Sequence, residues 1–481
     1  MKEIRVTSLT NESVVIDEET FNSFKSKLRG EVYLPGDSSY DNERKIWNGM
    51  IDKKPGLIVC CRGTSDVIHS INFARKYNLL SSIRGGGHNV AGNAVCHGGM
   101  MISLYHMKGI ILDPVNKEVI VQPGVSWGDV DKETQIFGLA APGGIVSTTG
   151  VSGLILGGGF GWLSRKFGFS SDNLIAADVV TADGKFLTAS ESENKELFWG
   201  IKGGGGNFGV ITAYKLKLQP VGPQGVAGLI LYHLKDAVEV TNFFREFTKN
   251  SPDNLTSLLV LRLAPPAPFL PANLHGKPVI GIAVCHVGDI EEGKKLVEPL
   301  KKFGNPIADL IAVKPFIAHQ SMFDGGQLSG NNYYWKSEYL SEISNEMIIK
   351  LSDYTNNMTS PLSAILIFQL GGKIKRSSEI ESSAGNRDAD FIVNINGCWV
   401  NAEDSSKNIQ WVKDVWNSVL PYAKGGVYVN FLSDDEGEER VKAAYKENYK
   451  KMISLKNKYD PDNFFRLNQN IKPVKDKEEV I

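Results

Sequence analysis

Glycine is crowded into three short stretches in the first half of the chain. They are Gly85–Gly87 within IRGGGHNVAG, the run GVSGLILGGGFG from Gly150 to Gly161, and GGGGNFG from Gly203 to Gly209. Glycine loses more conformational freedom on folding than any other residue, so such runs need a reason. Two readings are open. The glycines make turns and let backbones pack closely, or they present successive N–H groups to a phosphate-bearing ligand that a Cβ would keep away. The third run contains G-x-G-x-x-G at Gly204, Gly206 and Gly209. It follows the helix-like KELFWGI and opens a strand, the reverse of what a Rossmann unit requires. No G-x-x-x-x-G-K-S/T phosphate loop occurs. A large phosphate-containing cofactor lying across several loops is the sharper expectation.

Around these loops the pattern predicts short strands and few helices. GLIVCC reads as a buried strand, TSDVIHSINFARKYN as a helix with Val67, Ile68, Ile71, Ala74 and Tyr77 on one face, and LLSSIR as the next strand. VVTADGKFLTAS predicts a hairpin turning at Asp183-Gly184. In VITAYKLKLQP, Val210, Thr212, Tyr214, Leu216 and Leu218 fall on one face. Glycine thins out after Pro220, where GVAGLILYHL, PVIGIAVCHV and SAILIFQLGG alternate with amphipathic stretches. The tail begins with an expected strand, VYVNF, and continues into a charged helical run stopped by Pro461. The last eight or so residues are expected to fray. This divides the chain into residues 30–220, a separate sheet-and-helix unit at 221–425, and a C-terminal segment at 426–475.

Composition excludes several classes. With 481 residues, 42% hydrophobic and 22% charged, the chain is no disordered polymer, and a net charge of −1 offers no global field for nucleic acid or anionic membrane. No apolar run reaches the roughly 18 residues of a membrane helix. MKEIRVTS places charges where a signal peptide needs its apolar core. Cys60, Cys61, Cys96, Cys285 and Cys398 are odd in number and irregularly spaced, which points to free thiols in a cytoplasmic protein. His97, His106, His233, His275, His286 and His319 form no ligand pattern, so no metal is expected. A monomer or weak homodimer is the default.

Three motifs carry a family likeness: RGGGH at Arg84–His88, GGIVSTTGVSGLILGGGFGWLSRKFG, and the C-terminal YDPDNFFRLNQNI. In this order, across essentially the whole chain, they resemble the berberine-bridge-enzyme-like FAD-linked oxidases of the vanillyl-alcohol-oxidase, or p-cresol-methylhydroxylase, flavoprotein class. The resemblance implies an α+β fold: an FAD domain built from both ends of the chain, with an antiparallel-sheet-plus-helices substrate domain inserted between them. It implies that Arg84, Gly85, Gly86, Gly87, Asn89 and Gly92 belong to the loop around the FAD pyrophosphate. His88 is then the residue joined to the flavin 8α-methyl, a loop histidine that only caps backbone groups being the reading for a histidine without this motif. Many relatives add a cysteine thioether at flavin C6. That position is Val146 here, so a single attachment is expected.

By the same resemblance Ser147, Thr148, Gly150, Val151, Gly153, Gly157, Gly158 and Gly161 line the flavin or its adjoining turns. Gly209 and Val210 stand by the adenine, and Asn430, Asn468 and Asn470 reach the flavin from the return segment. Tyr428 is implied as the catalytic base, with Phe431 where some relatives keep a tyrosine. Tyr334 and Gln369 are further candidates for substrate contact, an ordinary core role for Tyr334 being equally open. The implied reaction is hydride transfer from a sugar or a secondary-metabolite alcohol or ring carbon to FAD, with reoxidation by O₂ to give H₂O₂. A dehydrogenase using another acceptor and a non-catalytic flavin-binding protein are the rivals.

Overall fold

The computed structural model describes residues 3–378 and 381–474. The expected fraying of the C-terminal tail concerns residues outside that range. Near the N-terminus, the strands Leu57–Cys60, Met100–Ser103 and Ser81–Arg84 run parallel, with Val32–Tyr33 antiparallel at the edge. The helix Thr64–Lys76 covers them, burying Val67, Ile71 and Ala74 completely. Its buried Asp66 carboxylate accepts backbone N–H groups of Arg29, Gly30 and Arg62 at 2.8–3.2 Å, which pins the loops at the sheet's end. Strand Ser81–Arg84 runs straight into Gly85. The first glycine loop therefore leaves the carboxyl end of a parallel strand, where open sheets place their ligands.

A second sheet is antiparallel, in the order Phe186–Ser190, Leu174–Val180, Val210–Lys217, Glu118–Val121, Ile110–Asp113. Its first hairpin turns at Gly184, whose φ of 76° is the left-handed geometry the Asp-Gly pair predicts. The single face expected from Val210 to Leu218 is interrupted. Ala213 pairs with Asp178 but Ile211 with Val179, a β-bulge at Thr212 that reverses the alternation. Ile211, Tyr214, Leu216 and Leu218 join one core, while Val210 joins the core of the parallel sheet.

The inserted unit is one antiparallel sheet ordered Ala308–Asp309, Gln224–His233, Pro278–His286, Leu255–Leu263, Ala364–Gln369, Phe391–Trp399, Asn332–Leu340, with Ala312–Pro315 also paired to Gln224–His233. Helices Ala237–Lys249, Ile290–Lys302, Asn345–Asn356 and Ser405–Val419 pack on one face against Leu259, Leu261, Ile365, Ile367, Val393 and Ile395. Strand alternation sends Leu258, Val260, Leu366, Phe368 and Ile392 to the other face.

The return segment closes on the N-terminal half: Val427, Val429, Leu432, Tyr445, Met452 and Leu455 share a core with Val119, Val121 and Leu216. VYVNF is not a strand. Val429–Phe431 form one 3₁₀ turn, with Phe431 N–H donating to the Tyr428 carbonyl at 2.9 Å. The charged run makes two helices, Glu438–Tyr445 and Asn448–Tyr459, broken where Lys446 takes a φ of 48°. The motif YDPDNFF is fixed by an ion pair between Lys456 and Asp460, both 0% exposed, at 2.7 Å. Lys456 also donates to the Asn207 and Phe465 carbonyls, and Asp460 accepts the N–H groups of Phe464 and Phe465.

Candidate active site

A cavity of about 320 Å³ lies between the glycine loops and return segment on one side and, on the other, the face of the large sheet opposite its four long helices. That size is within the range of small-molecule and cofactor sites, ~300–1,000 Å³. Of the residues expected at the cofactor, Gly85, Gly86, Gly87, His88, Asn89, Val146, Gly150, Gly153, Gly209, Val210, Tyr428, Asn430 and Asn468 line it. Both readings of the glycines are realised, at different positions. A Cβ on Gly86 would fall 2.6 Å from Gly150 Cα, and one on Gly150 equally close to Gly86, so these two glycines let loop meet loop. A Cβ on Gly153 would meet no protein atom within 4 Å, and one on Gly206 nothing nearer than 4.0 Å. Both line the cavity, and Gly153 stands in the first turn of the helix Val151–Leu156, whose leading N–H groups have no intrahelical partner.

The other expected cofactor residues stand behind this lining. The Arg84 guanidinium donates to the Glu43 carbonyl at 2.6 Å and lies over the Tyr105 ring. Gly92 makes a turn against Ile51, with a φ of 72°. Ser147 spends its N–H and hydroxyl on the Asp324 carboxylate, at 2.8 and 2.5 Å. Thr148 is exposed and Val151 is wholly in the core. Gly157 backs the Asn430 amide, Gly158 donates to the Ile155 carbonyl, and Gly161 abuts the Gly143 carbonyl. Asn470 is outside the lining, its buried Oδ1 without a partner.

Two catalytic candidates are displaced from the cavity. The Tyr334 hydroxyl donates to Asp435 at 2.7 Å, and the ring belongs to the core on the helix-covered side of the sheet. Gln369 accepts from the Ser257 hydroxyl at 2.7 Å and donates to the Thr248 carbonyl at 3.2 Å, so both ends of its amide are engaged in binding strand to strand and to helix.

His88 opens onto the cavity with a buried Nε2 that has no hydrogen-bond partner. Burial lowers its pKa to about 4, so the ring is neutral at physiological pH. Its face is held by Trp47, ring centroids 4.1 Å apart, and Trp47 in turn stacks on Tyr333 at 3.6 Å. The Tyr428 hydroxyl accepts from the Gly159 N–H at 3.1 Å and from Asn430 Nδ2 at 2.9 Å, which leaves its own proton to be given inward. Burial pushes its pKa up to about 12; the two donated hydrogen bonds pull the other way and lose. Among the described residues no cation offsets the burial. Phe431 meets Tyr428 edge-on at 4.9 Å and lines the cavity beside it.

FAD fits this chain. Gly153 and Gly206 leave room where any side chain would intrude, and His88 Nε2, Asn468 Oδ1 and Gln469 Nε2 are buried, unpartnered atoms on cavity-lining residues. Separately, Glu43, Cys60 and His106 bring ligand atoms within 4.8 Å of one another, a grouping the spacing of the histidines does not reveal. There the Glu43 carboxylate is already hydrogen-bonded to the His106 ring at 3.1 Å and to the Cys60 thiol at 3.4 Å. All five cysteines are free and buried. Among the described residues, no helix is long and apolar enough to cross a membrane.

Sequence reasoning missed the sheet side of the cavity, where Arg262, Trp335, Asn394 and Asn396 sit, and the loop residues Trp47 and Gln327 that brace or line it. A signal existed: in FIVNINGCW, asparagines replace every second apolar residue of a strand, on the face away from the helices.

Comparison with known proteins agrees with this geometry. Residues 55–190 match the FAD binding domain family and residues 427–472 the family described as berberine and berberine like. The chain is 32% identical over 458 residues to an FAD-linked oxidoreductase of Dictyostelium discoideum, covering 94% of this chain and 97% of that protein. It is 28% identical to (R)-6-hydroxynicotine oxidase of Paenarthrobacter nicotinovorans, covering 93% and 97%. Among solved structures, 6-hydroxy-D-nicotine oxidase from Arthrobacter nicotinovorans superposes with a TM-score of 0.84 at 27% identity, over 93% of this chain and 98% of that one.

Proposed function

The chain belongs to the berberine-bridge-enzyme-like family of FAD-linked oxidoreductases, and from that premise we propose that it is an oxidase whose FAD is attached through His88 alone. The observation that carries this reading is the shared cavity, where glycine loops, a neutral His88 and the Tyr428 phenol face a sheet bearing polar side chains. A neutral imidazole with an unpartnered nitrogen is a competent nucleophile, and the Trp47 stack fixes it in place. Val146, where a second thioether would need cysteine, offers no nucleophile.

When bound, FAD supplies the two-electron acceptor for a hydride leaving the substrate carbon. The protein positions that carbon and manages the proton. Tyr428 in its ionised form is the group suited to the proton: Gly159 and Asn430 donate to its oxygen, and once its own proton has gone to solvent that oxygen can take the proton of a substrate hydroxyl as the carbonyl forms. Phe160, Phe368, Phe431 and Trp335 wall the site against water. The substrate is a sugar or a secondary-metabolite alcohol or ring carbon, and O₂ is the final acceptor, released as H₂O₂.

A substrate screen that follows flavin bleaching and H₂O₂ together tests this. Bleaching by a hydroxylated substrate followed by rapid recolouring in air, with H₂O₂ released, supports the oxidase. Bleaching without recolouring in air establishes the dehydrogenase instead. A chain that binds FAD but is bleached by nothing would leave the flavin-binding role.

A further inference from the structure

The sheet that floors the cavity carries its side chains in rows. Arg262 pairs with Ala364, Ala364 with Asn396, and Asn396 with Trp335, so these four form one transverse row over four adjacent strands. Each strand lies ~4.8 Å from the next. Arg262 and Asn396 therefore flank the small Ala364 with backbones about 10 Å apart, leaving a trough above its methyl group. Asn394, one row along, adds a buried Nδ2 with no partner. The Asn396 Oδ1 is taken by the Trp335 indole N–H at 2.8 Å, which turns its amide into a donor toward the trough.

Arg262 is the only charged side chain among the residues lining this cavity. Its Nε is spent on the Leu263 carbonyl at 3.1 Å, and among the described residues no carboxylate forms an ion pair with it. The nearest turn, Asp324–Gly326, holds a carboxylate, but Asp324 is committed to Ser147. A guanidinium stays charged in any protein, and an unpaired one out of bulk water is expensive unless a ligand completes it. Its burial lowers the pKa, as expected of a cation short of solvent.

We propose that the molecule oxidised here carries a carboxylate, seated over Ala364 and bound by the guanidinium of Arg262 with the amides of Asn396 and Asn394. The planar fork of arginine matches a carboxylate, and the one positive charge on this floor of the cavity balances a monoanion. A phosphate dianion would leave an uncompensated charge. The proposal rests on reading the cavity as the oxidation site. It narrows the substrate to hydroxy acids: an acidic sugar, or an alcohol on a carboxylated ring.

Two matched pairs test it on the holoenzyme without oxygen: 4-(hydroxymethyl)benzoate against benzyl alcohol, and glucuronate against glucose. Binding is read from the visible flavin spectrum and turnover separately from bleaching. In at least one pair the carboxylated member should bind roughly 30-fold or more tightly, the low end of what a buried charged partner is worth. That preference should shrink with added salt, vanish in Arg262→Gln and survive in part in Arg262→Lys. Equal binding within both pairs overturns the proposal, as does no binding of either carboxylate up to ~10 mM, weaker than any purposeful site. An Arg262→Gln protein that emerges without flavin also overturns it, because the guanidinium would then serve the cofactor. Carboxylate preference without bleaching upholds the anion site and strikes at the oxidase reading; bleaching by the neutral members alone does the opposite.

Discussion

The indole of Trp47 lies flat on the imidazole of His88, ring centroids 4.1 Å apart and planes 19° from parallel. Trp47 also donates its backbone N–H to the Gly87 carbonyl at 3.0 Å and its indole N–H to the Gln327 carbonyl at 3.0 Å. One side chain thus ties the glycine loop to the inserted unit and sets the angle of the histidine. Attachment of flavin to His88 needs a fixed approach, and proximity of this kind contributes heavily to such reactions. Trp47→Leu should leave flavin bound but largely extractable by acid, while Trp47→Phe keeps most of it attached. His88→Ala should release all of it. Flavin remaining on the acid-denatured His88→Ala chain would show attachment elsewhere.

Tyr428→Phe should slow flavin reduction by roughly 10²–10⁴-fold, the range of lost acid–base catalysis, with flavin loading and reoxidation little changed. The raised pKa of the phenol adds a pH signature. A base with a pKa near 12 is mostly protonated at neutral pH, so its active fraction grows with every unit of alkalinity. Reduction should accelerate from pH 7 to pH 10 in the native enzyme and stay flat in Tyr428→Phe. A native profile already level at pH 7 would remove Tyr428 as the base.

Gly86 and Gly153 separate the two uses of glycine. At Gly86 an added methyl strikes the Gly150 backbone at 2.6 Å, so Gly86→Ala should destabilise the apoprotein and the holoprotein alike. At Gly153 the methyl meets nothing, and alanine is a better helix former by up to ~1 kcal/mol. Gly153→Ala should therefore hold or raise the apoprotein's melting temperature, and Gly153→Leu should in addition weaken FAD uptake. Unchanged FAD affinity in Gly153→Leu would mean the space beside this helix is not the cofactor's.

How much of this was legible in the sequence follows a physical division. The Asp183-Gly184 hairpin, the Thr64–Lys76 helix and the strand before Gly85 are local events, decided by periodicity and turn chemistry. The bulge at Thr212 is not local: it arises from pairing with Asp178 and Val179, which no window of the strand contains. VYVNF alternates like a strand, yet among the described residues no partner strand pairs with it, and it curls into a 3₁₀ turn. At the site, the glycine loops announced themselves by composition, and His88 through the family likeness of the motif it closes. Arg262, Asn394 and Asn396 did not, because they meet only through strand order in a seven-membered path. Tyr334 and Gln369 misled for the same reason: sequence cannot say which sheet face a helix will cover.

Lys456 and Asp460 should behave as a single structural unit. Both are 0% exposed, and together they hold the Asn207, Phe464 and Phe465 backbone. Removing one partner strands a buried charge, at a cost of ~3–5 kcal/mol. Lys456→Met should lower stability by that amount. It should also loosen FAD, since the segment it anchors runs on through Leu467–Gln469 at the cavity wall. Chemical denaturation of the holoenzyme and the apoenzyme measures both. A loss below ~1 kcal/mol would show the pair to be dispensable.

His319 should make the protein sensitive to mild acid. It is 1% exposed, its ring tilted against Trp162 with centroids 4.3 Å apart, and neither ring nitrogen has a partner. Burial, with a smaller push from Lys314, lowers its pKa to about 3. The unfolded chain binds a proton at this residue below a pH of ~6.5, whereas the folded chain does not until about pH 3. Between those values the unfolded state holds more protons, so stability falls as pH falls. By pH 5 the difference is about 1.5 pK units, worth ~2 kcal/mol relative to pH 8. The short helix Phe316–Gln320 is tied to the Gly144 carbonyl by Gln320, so acid opening there loosens the loop beside Val146. His319→Phe preserves the ring against Trp162 and abolishes the titration. The drop in unfolding free energy from pH 8 to pH 5 should shrink by ~2 kcal/mol in this variant. An identical drop in both proteins would mean that His319 gains a proton without opening the fold.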